Sequence, residues 1–188
     1  STSGKSSGVM MLAKYMTRFG KVLYNAREEG NGEKSVRKSF KDRMRLFDMH
    51  QVKPRFQVVN EDRVKLEKRL DKRRSPEIVI IDSLQYFKMS FKEYRDFTEK
   101  YSKKTIIIVG HTRGTKPKGT LGEEIHFDAY IKIWVEGYIM ISKGREIGPK
   151  GQITIWEEGA NKYWGEPGTT HKKNEQSKTH TKGARHKR

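Results

Sequence analysis

The residues best equipped for chemistry stand at the very start of the chain. Ser1-Thr2-Ser3-Gly4-Lys5-Ser6-Ser7 matches the second half of the phosphate-binding pattern G-x-x-x-x-G-K-[S/T], with Gly4, Lys5 and Ser6 in its last three places. The pattern's first glycine would fall two places before Ser1. In such a loop, backbone N–H groups of a turn and of a helix start point at phosphate oxygens, and the helix dipole favours the anion. Lys5 adds a full positive charge, and the Ser6 hydroxyl is a small, hard ligand of the kind Mg²⁺ accepts beside phosphate oxygens and water. Ser3, Gly4, Lys5, Ser6 and Ser7 are therefore candidate nucleotide-phosphate ligands. Gly-Lys-Ser-Ser alone also fits a flexible Ser/Gly-rich linker, so the rest of the chain has to decide.

Four further positions recur at strand ends. Glu28 follows the short apolar run at residues 21–26. Asp82 closes Ile78-Val79-Ile80-Ile81, His111 follows Ile106-Ile107-Ile108-Val109, and Lys143-Gly144-Arg145 ends a late strand. In a doubly wound sheet the carboxyl ends of the strands line one crevice, so Lys5, Glu28, Asp82 and His111 are expected to converge. Asp82 then holds Mg²⁺ through water, or simply caps the residues after it. His111 is either a polar sensor or a hydrogen-bonded structural residue. Lys143 and Arg145 are surface charge by default. Arg113, Lys116 and Lys118 lie among glycines in a loop suited to nucleic-acid phosphates, or in an ordinary solvated loop. Tyr86, Phe87 and Phe91 are candidates for base stacking, although core packing is the commoner fate of such rings.

The elements that must position these groups follow from periodicity. Val9, Met10, Leu12, Ala13 and Met16 give the segment after the loop an apolar helical side, and Gly20 stops it. Strands are predicted at 21–26, 56–60, 77–82 and 105–110, the last two nearly all β-branched. Between them, helices are predicted at about 33–49, 61–74 and 91–101. A loop covers 111–120. Residues 130–135, 138–142 and 152–156 read as strands joined by short turns. The alternation implies an α/β fold with a mainly parallel sheet and helices on both faces, extended at its C-terminal end by antiparallel strands. Residues 1–165 form the domain, and 166–188 read as a disordered basic tail.

Composition narrows the partners. Forty-one Lys and Arg against 23 Asp and Glu give a formal charge of +18 over 188 residues, which favours a polyanion such as nucleic acid. There is no cysteine, so disulfides and Cys-ligated zinc are excluded. No run approaches the roughly 18 apolar residues a membrane helix needs, so a soluble, cytoplasmic protein without a membrane partner is expected.

Taken together, the motifs resemble those of the RecA-fold P-loop ATPases, in the group of the RadA/Sms recombination ATPases and DnaB-type helicases. Val22-Leu23-Tyr24-Asn25-Ala26-Arg27-Glu28-Glu29 is similar to V-L-Y-x-S-G-E-E, and Val79-Ile80-Ile81-Asp82-Ser83-Leu84-Gln85 to V-V-I-D-S-[IL]-Q. Val109-Gly110-His111-Thr112 is similar to G-H-V-T, and the run from Ile141 to Gly151 to the helicase I-x-K-Q-R-N-G-P-x-G. The resemblance spans most of the chain up to about Trp156. It implies ATP and Mg²⁺, with Glu28 as the base that polarises water, Asp82 beside Mg²⁺ and His111 as a γ-phosphate relay. It implies that Lys143 and Arg145 reach a neighbouring subunit's phosphate, hence a homo-oligomeric ring or filament, with the loop at 113–119 facing single-stranded DNA. The strand that precedes the loop in that family is not in the sequence, nor is the RadA K-N-R-F-G run. The expected function is a DNA-dependent ATPase motor of replication, recombination or repair. The alternatives are a switch ATPase acting on protein partners and a basic nucleic-acid-binding protein whose ATPase motifs have decayed.

Overall fold

The computed structural model describes residues 4–28, 38–144 and 151–165. Four parallel strands form its centre: β1 (Val22–Ala26), β2 (Phe56–Val59), β3 (Ile78–Asp82) and β4 (Thr105–Val109), in the order β2-β1-β3-β4. The pairing is in register, with Tyr24 opposite Val58 on one side and Ile80 on the other, and Ile80 in turn opposite Ile107.

Side-chain alternation along β3 sorts the core into two layers. Ile78 and Ile80 join Tyr24, Phe40 and Met10 on one face, which is covered by α1 (Lys5–Met16) and α2 (Lys38–Leu46). Val79 and Ile81 join Leu23, Leu66, Tyr94 and Phe97 on the other, under α3 (Arg63–Leu70) and α5 (Phe91–Lys100). The parallel sheet with helices on both faces is thus present, because these strands are apolar on both sides. Local chemistry fixes the helix starts. Asp62 accepts from the Lys65 N–H at the head of α3, and Ser90 and Glu93 form a reciprocal capping box at the head of α5.

Several elements differ from expectation. The predicted helix at 33–49 begins, among the described residues, at Lys38, and is followed by a 3₁₀ segment, Met49–Arg55, that accommodates Pro54. A one-turn helix, α4 (Leu84–Phe87), follows β3 directly. The loop at 111–120 folds as a small hairpin of β5 (Thr112–Arg113) and β6 (Lys116–Pro117), then runs into α6 (Thr120–Asp128). β7 (Ile131–Glu136), β8 (Ile139–Gly144) and β9 (Gly151–Thr154) are antiparallel as expected, but they form a three-stranded sheet of their own and do not extend the parallel one. Trp156, read as the end of a strand, caps α7 (Glu157–Trp164). The predicted tail at 166–188 lies outside the described residues. No described helix is long and apolar enough to cross a membrane.

Candidate functional site

α1 starts at the carboxyl edge of the parallel sheet. Gly4 precedes it in a left-handed conformation, φ 82°, and a Cβ there would come within 2.9 Å of Tyr138 Cδ1. Both facts demand glycine. The first turn of α1 carries no acidic residue and no side-chain cap, so its N–H groups are free of the usual internal anion. Lys5 donates to the Gly110 carbonyl at 3.3 Å, just beyond β4. Ser6 lines the same opening as Lys5, Glu28, Gly110, His111 and Thr112. Ser7 is half-buried in the first turn, and Ser3 lies outside the described residues.

Glu28 is held beyond the tip of β1. Its backbone N–H donates to the Asp82 carbonyl at 3.1 Å, so the β1–β3 pairing continues past the strand ends. Its carboxylate meets His111 Nε2 at 3.0 Å, with the Ser83 hydroxyl 3.4 Å from the same nitrogen. Burial pushes the Glu28 carboxyl up, but the His111 hydrogen bond and charge, the Lys5 charge and the Ser83 hydroxyl bring it below the usual glutamate range. Glu28 is therefore ionised at neutral pH, and an ionised carboxylate only accepts, so His111 Nε2 carries the proton between them. The His111 N–H donates to Gln85 Oε1 at 3.2 Å, fixing the ring's backbone to α4.

Asp82 sits behind this opening. Its side chain is buried and its Oδ2 accepts from the Tyr24 hydroxyl. Tyr24 is itself wedged edge-on between Phe40 and Phe56. Burial raises the Asp82 carboxyl above the ordinary aspartate value; the Tyr24 bond and the Lys5 charge oppose that, and Glu28 adds to it. Lys5, Glu28 and Asp82 thus share one electrostatic neighbourhood at the carboxyl ends of β1, β3 and β4, with His111 bonded to Glu28.

Sequence reasoning missed the device that steadies this edge. Asn25 is fully buried in β1; its amide donates to the Glu61 carbonyl and its Oδ1 accepts from the Glu61 N–H, both at 2.8 Å. The buried Glu61 carboxylate accepts from Arg69 Nε at 2.9 and 3.0 Å. The clamp ties the β1 tip, two residues before Arg27 and three before Glu28, to α3. The only sequence signal was an Asn inside an apolar strand and an acid–base pair eight residues apart.

The remaining candidates fall elsewhere. Arg113, Lys116 and Lys118 are exposed on the β5–β6 hairpin, and the Lys118 N–H donates to the His111 carbonyl at 2.8 Å, so the basic hairpin closes back onto the Glu28 partner. Tyr86 is half exposed and meets the His111 ring edge-on at 6.4 Å, whereas Phe87 is core and Phe91 stacks on Tyr94. Lys143 is exposed on β8, five residues from Tyr138, the residue that touches Gly4. At about 3.4 Å per residue it stands roughly 17 Å from the phosphate loop, outside this chain's own opening. Arg145 lies outside the described residues.

The groups present suit a Mg²⁺-bound triphosphate. Free helix-start amides and Lys5 match phosphate, and Ser6 and Asp82 offer the oxygen donors a hard cation takes. Among the described residues no three His, Cys, Asp or Glu side chains cluster as a metal cage, so a cation here would draw on phosphate oxygens and water for the rest of its shell. No protein-family profile and no curated protein matches the chain, so the functional reading rests on the motifs and this geometry.

Proposed function

We propose that the protein is a RecA-type, Mg²⁺-dependent ATPase acting on single-stranded DNA. The observation that carries the reading is that Lys5, Glu28 and Asp82, distant in sequence, meet at one carboxyl-edge opening with an uncapped helix start. Hydrolysis needs water to attack the γ-phosphorus while the bond to the β,γ-bridging oxygen breaks and ADP leaves with that electron pair. Glu28, ionised and oriented by His111, accepts the proton of the attacking water. Lys5 and the first-turn amides neutralise charge on the transferring group and on the departing β-phosphate. Bound Mg²⁺ supplies further charge neutralisation across the β- and γ-oxygens. Ser6 and Asp82 are the residues that would hold it.

DNA enters the reading through His111. Its imidazole touches Glu28 and its carbonyl holds Lys118, so nucleotide state at Glu28 and phosphate contact at Arg113, Lys116 and Lys118 bias the same residue. Lys143 and Arg145 complete a neighbour's site in a ring or filament.

The test is phosphate release from ATP by the 188-residue chain, with and without single-stranded DNA, over a salt series. The expected result is Mg²⁺-dependent turnover, stimulated by DNA and weakened steeply by salt, and abolished in Lys5→Ala with the fold retained. DNA binding indifferent to ATP, with no turnover, overturns the enzymatic reading.

A further inference from the structure

β4 and β7 are both sheet edges. β4 pairs only with β3, and β7 only with β8. They are not paired with each other, yet one cavity of about 380 Å³ is walled by Ile107 and Val109 of β4 and by Ile133 and Val135 of β7, over Val9 and Leu12 of α1. That is an order of magnitude more room than the ~30 Å³ share of one water, and its walls are aliphatic. β4 is β-branched from Thr105 to Val109, the composition of a strand with neighbours on both sides, yet only Val109 is buried. Ile131 and Ile133 of β7 are 50% and 42% exposed.

The backbone is oriented for pairing across the cavity. The Thr105 N–H donates to Glu77, on the β3 side. Alternation therefore turns the amides of Ile106 and Ile108 toward the cavity. The next outward carbonyl, that of Gly110, is the one Lys5 caps. An apolar edge of this kind is avoided in a finished fold.

We infer that the cavity is a vacant strand position, filled by an extended apolar segment of about five residues that runs parallel to β4, pairs with both edges and leads directly into Gly4. Three observations select this occupant. The segments outside the described residues, 1–3, 29–37, 145–150 and 166–188, contain only Val36, Ile147 and Ala184 as hydrophobic residues, so none supplies an alternating apolar strand. α1 begins at the end of the cavity where a strand parallel to β4 would finish. Residues 1–4 give a connection within the usual two to six residues of a strand-to-helix loop. Filling the position makes one continuous sheet of the parallel and antiparallel halves. The inference does not depend on the ATPase reading.

The test grafts six alternating Val, Thr and Ile residues with a two-residue linker ahead of Ser1 and follows amide hydrogen exchange at Ile106 and Ile108 in the full chain. The expected result is slowing of both amides on the order of 100-fold relative to the ungrafted chain. The same graft with proline at its centre, which cannot donate to the ladder, leaves them fast. Unchanged exchange with the apolar graft overturns the proposal. So does an ungrafted chain in which both amides are already slow and speed up on dilution, since a second copy then fills the position.

Discussion

β3 and β4 are near twins in sequence, Ile78-Val79-Ile80-Ile81 beside Ile106-Ile107-Ile108-Val109, and they lie next to each other in register. Every residue of β3 is buried, while β4 is buried only at Val109. The difference is neighbours: β3 has β1 on one side and β4 on the other, and β4 has one partner and a cavity. Composition states how a strand wants to be surrounded, and topology decides whether it is. The same contrast separates the two ends of the molecule's chemistry. Glu28 and Asp82 are placed by strands locked on both sides, whereas Lys143 sits on the smaller sheet and far from them.

The contrast can be tested, beginning with the largest effect. Glu28→Gln, at the locked edge, should lower Mg²⁺-ATP turnover by about 10²–10⁴-fold with ATP binding retained. The change Lys143→Ala should leave ATP binding to an isolated chain unaltered, and single-turnover kinetics with binding titrations on both variants separate the two. In the cores, Ile80→Ala should cost about 2–5 kcal/mol in denaturant unfolding, and Ile107→Ala, on the half-covered strand, about 1 kcal/mol. Equal costs would mean that β4 is as enclosed as β3 and would remove the basis for a vacant strand position.

Asp82→Asn gives a smaller effect, with opposite signs for stability and activity. Burial raises the native Asp82 carboxyl above its unfolded value. The native state therefore holds its proton more tightly, and stability falls as pH rises through the native pKa. Removing the charge should raise the unfolding midpoint at neutral pH, leave it nearly unchanged near pH 3, and still abolish Mg²⁺-dependent turnover. Thermal melts at the two pH values check the sign. The acid side of the activity profile offers a companion measurement. Glu28 is held below the usual glutamate range, so it stays ionised on acidification through pH 5, and a base limb centred above that range would assign the role to another group.

The strands that carry chemistry were legible because a strand buried on both faces must be continuously apolar and an acid at its end breaks the run abruptly, as at Asp82. Glu28 and His111 followed from the same rule. What escaped was set by tertiary contact. α7 hides because Trp156 reads as a strand residue, whereas its ring packs where a Cβ on Gly159 would lie. α6 hides because only Gly122 and Ile125 of its residues are buried, too few for a helical stripe. The Asn25–Glu61–Arg69 clamp joins residues that no local period relates. The independence of the second sheet depends on the cavity beside β4, which no pattern within β7, β8 or β9 encodes.

The central claim is that one triphosphate is gripped jointly by the α1 start and the strand-end acids. Isothermal titration of Mg²⁺-ATP into the chain and into Lys5→Ala, with circular dichroism to show that both are folded, tests it most directly. The account predicts saturable one-site binding that Lys5→Ala weakens by at least about 100-fold, the effect of losing a charge-assisted phosphate contact of roughly 3 kcal/mol. Equal affinity in the two folded chains would contradict it.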